Sequence, residues 1–321
     1  MKKIRVEQPG GTDAMLLADV ETRAPGEGEA RVRVEAAGVN YIDVYQRSGR
    51  YPAPLPLDLG LEGAGTVEAV GPGTDVHPGD RVAWAGVQGS YATHLVAPAD
   101  RLVRVPDALS PRVAAAAILQ GMTAHILVTE VYALGARDTC VVHAAAGGVG
   151  LLLCQLAHRA GARAIGTCGT RDKAERARRA GASEVILYTE ADFSAEVSRL
   201  TSGTGAQVVY DSVGADTFQQ SLSCLAPRGM MVLFGQSSGP APKIDPQDLG
   251  ARGSLFLTRP SLFHYAGERA DRDRHAGAVF DMIARGELDI HIDRELPLAR
   301  AAEAHTLLEA RKTQGKLLLV P

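Results

Sequence analysis

The sequence predicts an α/β protein in which a doubly wound parallel sheet is joined to a smaller β-barrel. Two observations predict this class. Short strand patterns separated by Gly and Pro turns extend to about residue 105. From residue 139 strand-like and helix-like segments alternate, which is typical of a parallel sheet covered by helices on both faces. A chain of 321 residues is long enough for two such domains.

The barrel prediction starts from one strand and a series of turns. Val32 and Val34 alternate with charged residues, which indicates a half-buried strand. Gly- and Pro-rich clusters at 25–26, 71–73 and 78–80 indicate tight turns. Short strands at this spacing predict a small, partly closed barrel.

The parallel sheet follows a predicted helix that begins at Ser110 and Pro111, because serine is a good N-cap and proline fits the first helical position. A second helix is predicted from Arg171 to Ala180, with Gly181 as its stop. The strands are predicted at 139–144, 163–168, 184–187, 207–210 and 229–234.

After about residue 260 the strand–helix alternation ends. Helices are predicted at 267–285 and 298–311, and the closing K-L-L-L-V reads as a strand. We expect this last strand to return to the N-terminal domain and complete its sheet.

Composition limits the possible partners. The net charge of −3 gives no electrostatic reason to expect nucleic acid or an anionic membrane surface as the main partner. The four cysteines form no C-x-x-C pair, the N-terminus is too polar for a signal peptide, and no apolar run is expected to span a membrane. These features favour a reduced, cytoplasmic enzyme.

Residues 144–150, A-A-A-G-G-V-G, follow a predicted strand and precede a predicted helix. In the G-x-G-x-x-G template they place Ala145 at the tight turn, Gly147 where the backbone approaches a pyrophosphate, and Gly150 where helix and strand pack closely. Ala145 departs from the template. A Gly-rich turn of any doubly wound fold is the alternative, but the strand–turn–helix context favours a dinucleotide site.

The end of the second strand of the parallel sheet indicates which dinucleotide binds. NAD enzymes place an acidic residue there, whereas this chain has Gly169, followed by Thr170 and Lys173. A hydroxyl and a cation attract a 2′-phosphate, so the sequence favours NADPH. A solvated basic helix start is the alternative, and Asp172 argues against the phosphate site.

Several stretches together resemble one family. They are A-A-G-V-N-Y-I-D-V-Y-Q-R-S-G-R-Y-P (36–52), G-L-E-G-A-G (60–65), H-A-A-A-G-G-V-G-L-L-L-C-Q (143–155), V-V-Y-D-S-V-G (208–214), F-G-Q-S-S-G (234–239) and T-R-P-S-L (258–262). The chain resembles the quinone oxidoreductases of the zeta-crystallin type, within the medium-chain dehydrogenase/reductase superfamily. The resemblance implies a GroES-like catalytic domain from 1–121 and 261–321, a Rossmann NADPH-binding domain from 122–260, and a homodimer.

The resemblance also implies which residues hold NADPH. The nicotinamide side is expected to be lined by Asn40, Tyr41, Ile42, Asp43, Val44 and Tyr45. The phosphates are expected at Gly147, Gly148 and Val149, and at Gly169, Thr170 and Lys173 with Tyr188 near the adenosine. The remaining expected contacts are Ser212, Phe234, Gly235, Gln236, Ser237, Arg259, Pro260, Ser261, Leu262 and Arg311.

No zinc is expected. Zinc-dependent relatives have Cys in place of Asn40 and His in place of Leu61, and neither residue here is a usual zinc ligand. Residues 1–139 contain no cysteine for a second zinc. For Glu62, we expect a buried charge paired with a basic neighbour.

The implied activity is NADPH-dependent quinone reduction, in which the protein orients the reactants and excludes water. Asn40, Tyr45 and Tyr51 are the expected catalytic residues, with ordinary packing as the alternative for the two tyrosines. Asp43 is more easily explained by a structural hydrogen bond than by a proton relay. Reduction of enone or alkenal double bonds, and a structural or RNA-binding role for an NADPH-binding protein, remain alternatives.

Overall fold

The computed structural model describes residues 1–321, which form two compact units. The first unit contains Met1–Met122 and Ala266–Pro321, and the second contains Thr123–Tyr265. The strands are β1 (Lys2–Val6), β2 (Leu16–Asp19), β3 (Glu29–Val39), β4 (Leu57–Asp58), β5 (Glu62–Val70), β6 (Arg81–Ala85), β7 (His94–Pro98), β8 (Val103–Arg104), β9 (Thr139–Val142), β10 (Arg163–Cys168), β11 (Glu184–Leu187), β12 (Ala206–Asp211), β13 (Leu225–Leu233), β14 (Phe256–Thr258), β15 (Ile292–Pro297) and β16 (Lys316–Val320).

The helices lie mostly in the second unit and the C-terminal part of the first. They are α1 (Tyr41–Arg47), α2 (Pro111–Ile126), α3 (Gly148–Arg159), α4 (Arg171–Arg179), α5 (Phe193–Leu200), α6 (Phe218–Ser223), α7 (Pro246–Ala251), α8 (Leu262–Tyr265), α9 (Arg269–Ala284) and α10 (Ala301–Glu309). The Ser110 hydroxyl accepts a hydrogen bond from the Val113 N–H at 3.3 Å, which confirms the predicted start of α2. Gly181 has φ +101° after α4, which confirms the predicted stop.

The first unit contains a seven-stranded sheet with the path β15-β16-β3-β5-β6-β8, to which β7 adds by pairing with β3. A second sheet has the order β2-β1-β4. Val32 and Val34 are buried on β3, as their alternation predicts. β16 pairs antiparallel with β3, with Leu317 opposite Val39, so the chain's last strand does complete this sheet.

The second unit is a six-stranded parallel sheet in the order β11-β10-β9-β12-β13-β14. The chain runs outward from β9 through β10 to β11, and then crosses back to β12 and proceeds the other way. β9 and β12 are therefore the neighbours at which the strand order reverses. In open α/β sheets ligands bind at the carboxyl ends of such strands. The doubly wound class is confirmed.

Several predicted bounds shift by a few residues, and two of these shifts have a local reason. The apolar run predicted as a strand over 139–144 ends at Val142, because Ala144 has φ +50° and begins a turn. The predicted helix 298–311 starts as a 3-10 turn at Leu298–Arg300, and α10 ends at Glu309. Arg311 then takes φ +57°.

The segment Pro111–Val131, which contains α2, is apolar and long enough to cross a membrane by length and composition alone. Most of its apolar window, 61%, is buried within the protein. A buried core helix passes the same test, and the burial here is that of a core helix.

Candidate functional site

The Gly-rich turn joins β9 to α3 at the point where the strand order reverses. Ala144 carries the left-handed conformation of this turn, and the Gly147 N–H donates to its carbonyl oxygen at 2.8 Å. The G-x-G-x-x-G template predicts the tight turn at Ala145. In the structure the turn lies one residue earlier, at Ala144. Ala145 is instead bound to the second strand, since its N–H donates to the Thr167 carbonyl at 3.1 Å.

The third template glycine has the predicted packing role. A Cβ on Gly150 would overlap the Ala144 carbonyl oxygen and lie 2.9 Å from the Cα of Ala145. The first turn of α3 is thus pressed against the Gly-rich turn, and Gly148 and Val149 present helix-start amides that lack intrahelical partners. Such amides at a helix N-terminus bind phosphate oxygens well.

The end of β10 has the features expected for a 2′-phosphate. A Cβ on Gly169 would lie 2.6 Å from the Tyr188 phenol oxygen, so any side chain at this position would require this tyrosine, which is 44% exposed, to shift. Thr170 is the N-cap of α4 and its hydroxyl accepts the Lys173 N–H at 3.4 Å. The hydroxyl hydrogen of Thr170 can therefore be donated to an anion.

The basic start of α4 is partly balanced. Arg171 lies 3.5 Å from Glu190, both of them exposed, and Asp172 stands in the first helical turn. Exposed ion pairs of this kind contribute little to the stability of a protein. Lys173 is half-buried and follows the N-cap by three residues, which puts it on the first turn of α4.

The ends of β12 and β13 bring together another group of predicted residues. The Ser237 N–H donates to the Ser212 carbonyl at 3.1 Å, and a Cβ on Gly235 would lie 2.5 Å from the same oxygen. Arg259 donates from Nη1 to the carbonyls of Leu233 and Gly235 at 2.8 and 3.3 Å. The residues predicted at 212, 234–237 and 259 therefore share one edge of the parallel sheet.

In the first unit, Asn40 is the N-cap of α1 and is 5% exposed. Its Nδ2 donates to Glu62 Oε2 at 2.8 Å and to the Gly38 carbonyl at 3.3 Å. Its Oδ1 accepts from Lys316 Nζ at 2.8 Å and from Gln120 Nε2 at 3.3 Å. The amide is saturated, so a hydrogen bond from it to a bound molecule would have to replace one of these four.

Glu62 is fully buried and forms an ion pair with the buried Lys316, which confirms the expected basic neighbour. Its other oxygen, Oε1, accepts the Leu119 N–H at 2.7 Å. Sequence reasoning expected such a partner but did not identify Lys316, which is 254 residues away along the chain.

Asp43 has the structural role favoured by the sequence. Its Oδ2 accepts the Asn40 N–H at 2.8 Å and the Tyr91 hydroxyl at 2.9 Å. Burial raises the pKa of Asp43 to about 7.

The side chains of the predicted cofactor segment 40–45 differ in burial. Tyr41 and Ile42 are half-buried, whereas Asp43 and Val44 face the interior, so these last two side chains do not form a binding surface.

The predicted tyrosines lie in a row. The rings of Tyr41 and Tyr45 are 5.9 Å apart, and those of Tyr45 and Tyr51 are 5.1 Å apart. The guanidinium of Arg50 lies 5.2 Å from the centre of the Tyr45 ring, and Tyr45 is only 5% exposed. Burial raises the pKa of Tyr41, and the positive charge of Arg311 opposes that rise. Arg311, which was predicted as a cofactor contact, therefore lies close enough to Tyr41 for its charge to affect this phenol.

One buried polar cluster was missed by sequence reasoning. His143, directly before the Gly-rich turn, bonds through its two ring nitrogens to the hydroxyls of Thr167 and Ser221, each at 2.9 Å. Ser221 in turn donates to Asp211 at 3.2 Å. A histidine next to the turn was the only sequence signal for this cluster.

No group of three or more His, Cys, Asp or Glu side chains in residues 1–321 is arranged to hold a metal ion.

Comparison with known proteins agrees with this architecture. Residues 26–107 match the family described as "Alcohol dehydrogenase GroES-like domain", and residues 148–269 match "Zinc-binding dehydrogenase". A GroES-like domain joined to a Rossmann-type sheet defines a medium-chain dehydrogenase/reductase.

The chain is 45% identical to a quinone oxidoreductase of Pseudomonas aeruginosa, over 100% of this chain and 99% of that protein. It belongs to the quinone oxidoreductase family. A crystal structure of the Escherichia coli quinone oxidoreductase complexed with NADPH is 41% identical, covers 100% of both chains and superposes with a TM-score of 0.98. A 2-haloacrylate reductase from a Burkholderia species is 40% identical over 98% of each chain.

Proposed function

We propose that this protein reduces quinones with NADPH and uses no metal. The observation that carries the proposal is the Gly-rich turn at the strand reversal together with a second-strand end that has a glycine in place of the acid. The donor set supports metal independence, because an asparagine held by four hydrogen bonds stands where zinc-dependent relatives have a cysteine ligand. Domain 122–260 would hold NADPH, and the domain from 1–121 and 261–321 would receive the quinone.

The residues fit NADPH. The pyrophosphate would bind at Gly147, Gly148 and Val149, where the start of α3 supplies backbone amides. Thr170 and Lys173 would hold the 2′-phosphate, and Ser212, residues 234–237 and 259–262, and Arg311 would complete the contacts. Bound NADPH supplies reducing equivalents, and the chain's own residues bind it, orient it and exclude water.

The quinone would lie beside the tyrosine row, with Tyr51 as its nearest aromatic side chain. Tyr51 is half-buried and offers both a ring face and a hydroxyl, whereas Tyr45 is packed behind it. Asn40 would present a fixed, uncharged side chain to the quinone, because its amide is hydrogen-bonded to Glu62 and Lys316. No strong general acid is needed, because a quinone is already electrophilic and water can protonate the product oxygens.

The direct test follows nicotinamide absorbance with the purified protein and several quinones, beside an enone and a 2-haloacrylate. We expect faster NADPH consumption with quinones. Faster turnover of the alkenes would favour the second candidate, double-bond reduction, which the Burkholderia relative suggests. No NADPH consumption with any acceptor, by a folded sample that binds NADPH, would contradict both and leave a binding protein. A salt-sensitive complex with single-stranded RNA would then favour the RNA-binding alternative.

Lys173→Ala tests the cofactor choice. We expect the dissociation constant for NADPH to rise roughly tenfold or more, because a hydrogen bond to a charged group contributes about 1.5–3 kcal/mol. The dissociation constant for NADH should change less than about twofold, since NADH has no 2′-phosphate. Arg179→Ala, on the exposed end of the same helix, is the matched control and should leave both constants unchanged. Equal loss for both dinucleotides would contradict the assignment of Lys173.

We also propose that the protein is a cytoplasmic homodimer. Its four cysteines are all free and buried, as suits a reducing compartment. Strand β14 forms one edge of the parallel sheet and carries Phe256, which is 55% exposed. An exposed edge with a large apolar side chain is a ready surface for pairing with a second copy.

Phe256→Asp should therefore convert a dimer into a monomer, as measured by analytical ultracentrifugation at micromolar concentration. Leu16→Asp is the control, because Leu16 is similarly exposed, at 51%, but lies on β2. A wild-type protein that sediments as a monomer, or a dimer that persists in Phe256→Asp, would contradict this interface.

A further inference from the structure

The side chain of His143 is buried at the end of β9, one residue before the left-handed Ala144. Nδ1 lies 2.9 Å from the Thr167 hydroxyl and Nε2 lies 2.9 Å from the Ser221 hydroxyl. The edge of the ring meets Phe193, at 4.8 Å between ring centres and an angle of 78°. His143 is therefore fixed by two polar contacts and one aromatic contact, and the proposed function gives it no role.

The carboxylate of Asp211 sets the direction of the hydrogen bonds in this cluster. Its Oδ1 accepts the backbone N–H groups of Val213 and Gly214, at 2.7 and 3.1 Å. Its Oδ2 accepts the hydroxyls of Thr217 and Ser221, at 2.7 and 3.2 Å. Both oxygens of Asp211 act as acceptors in these four hydrogen bonds, so the single hydroxyl hydrogen of Ser221 is directed to Asp211.

The tautomer of the His143 ring follows from the position of the Ser221 hydroxyl hydrogen. Because the Ser221 hydrogen is used, its oxygen can only accept from His143, and Nε2 must carry the ring hydrogen. Nδ1 is then bare and accepts the hydroxyl hydrogen of Thr167. Burial lowers the pKa of His143, which agrees with a neutral ring. The hydrogen bonds run in one direction, from Thr167 through His143 and Ser221 to Asp211.

This chain of bonds joins the parts of the sheet edge that would hold NADPH. His143 adjoins the Gly-rich turn, and Thr167 lies two residues before Gly169. Asp211 directly precedes Ser212 and holds the following turn through two backbone amides. The ends of β9, β10 and β12 are thus connected by side chains, in addition to their backbone pairing.

We propose that His143, held as the Nε2–H tautomer, is a positioning residue for NADPH. It fixes the Gly-rich turn relative to the 212–214 turn, so that the groups on both sides of the dinucleotide are in place before it binds. A loosened cluster costs affinity because the cofactor must then order these turns itself. This inference rests on the proposed use of NADPH.

The first test compares two replacements of His143 by their dissociation constants for NADPH. His143→Phe keeps a ring but loses both hydrogen bonds, and we expect about tenfold weaker binding, because NADPH must then order the two turns itself. His143→Gln keeps a donor that can reach Ser221, and we expect it to recover most of the affinity. If wild-type protein binds NADPH and His143→Phe binds it equally well, the inference is wrong. If wild-type protein does not bind NADPH, the proposed function fails instead.

Ser221→Ala provides a milder variant in case His143→Phe does not fold. It removes the hydroxyl that links His143 to Asp211 and should weaken NADPH binding several-fold. Ser223→Ala is the matched control, because Ser223 lies on the same helix but is exposed. Equal affinities of these two variants would overturn the inference.

The second test reads the tautomer directly by nitrogen NMR of the His143 ring. Wild-type protein should show hydrogen on Nε2. In Asp211→Asn the side-chain oxygen is still needed by the two backbone amides, so the new NH₂ group faces Ser221 and donates to it. Ser221 must then donate to Nε2, and the ring hydrogen should move to Nδ1. A ring that only filled space would keep its tautomer, and that result would contradict the proposal.

Discussion

Replacing Lys316 with methionine should lower the free energy of unfolding by about 3–5 kcal/mol, which is the usual cost of removing one partner of a buried ion pair. Glu62 and Lys316 are 0% and 1% exposed, so water cannot solvate the carboxylate that remains. Methionine keeps most of the side-chain volume, and the loss therefore reports the charge more than the packing. The measurement is the urea midpoint with its slope.

The double variant Lys316→Met with Glu62→Gln distinguishes charge from packing. It removes the unpaired charge, so it should recover at least half of the lost stability. Lys312→Met, at an exposed position on the same C-terminal segment, should have no measurable effect. A single variant as stable as the wild-type protein, or a double variant less stable than Lys316→Met, would contradict the role assigned to this pair.

Gly150→Ala should weaken NADPH binding by at least about tenfold and destabilise the second unit by about 1–3 kcal/mol, as overpacking usually does. The added Cβ would overlap the carbonyl oxygen of Ala144, and this is backbone that cannot rotate away. Relief requires α3 to move from the Gly-rich turn, which displaces the amides proposed to hold the pyrophosphate. Titration calorimetry with NADPH measures the affinity.

Gly250→Ala is the matched control, since a Cβ at this helical position meets no atom within 4 Å. Alanine there should leave NADPH affinity unchanged and stability equal or slightly higher. Unchanged cofactor affinity in Gly150→Ala would show that close packing at this glycine does not shape the site.

The fold was predictable where a local pattern decides the structure. The alternation of Val32 and Val34, the cap at Ser110 and the stop at Gly181 each depend on neighbouring residues only, and all three are confirmed. The Gly-rich turn is an exception, because the G-x-G-x-x-G template predicts its tight bend at Ala145, one residue too late along the chain. The template assumes glycine at the left-handed position, and here an alanine, Ala144, adopts φ +50°.

The candidate site was predictable only in part, because its polar contacts join distant segments. Glu62 was expected to have a basic partner, but nothing near it in the sequence points to Lys316 on the last strand. The direction of the bonds around His143 depends on Asp211, a residue of another strand, and no spacing rule connects the two. The saturated amide of Asn40 likewise requires Gly38, Glu62, Gln120 and Lys316 in three dimensions.

The position of β16 between β15 and β3 has a consequence for synthesis on the ribosome. The second unit is one continuous segment, Thr123–Tyr265, and all its strands have been translated before β16 exists. The first unit lacks an interior strand of its main sheet until then, and Glu62 has no counter-charge while Lys316 is unmade. Nascent chains should therefore acquire a protease-resistant dinucleotide-type sheet while the N-terminal segment is still cleavable.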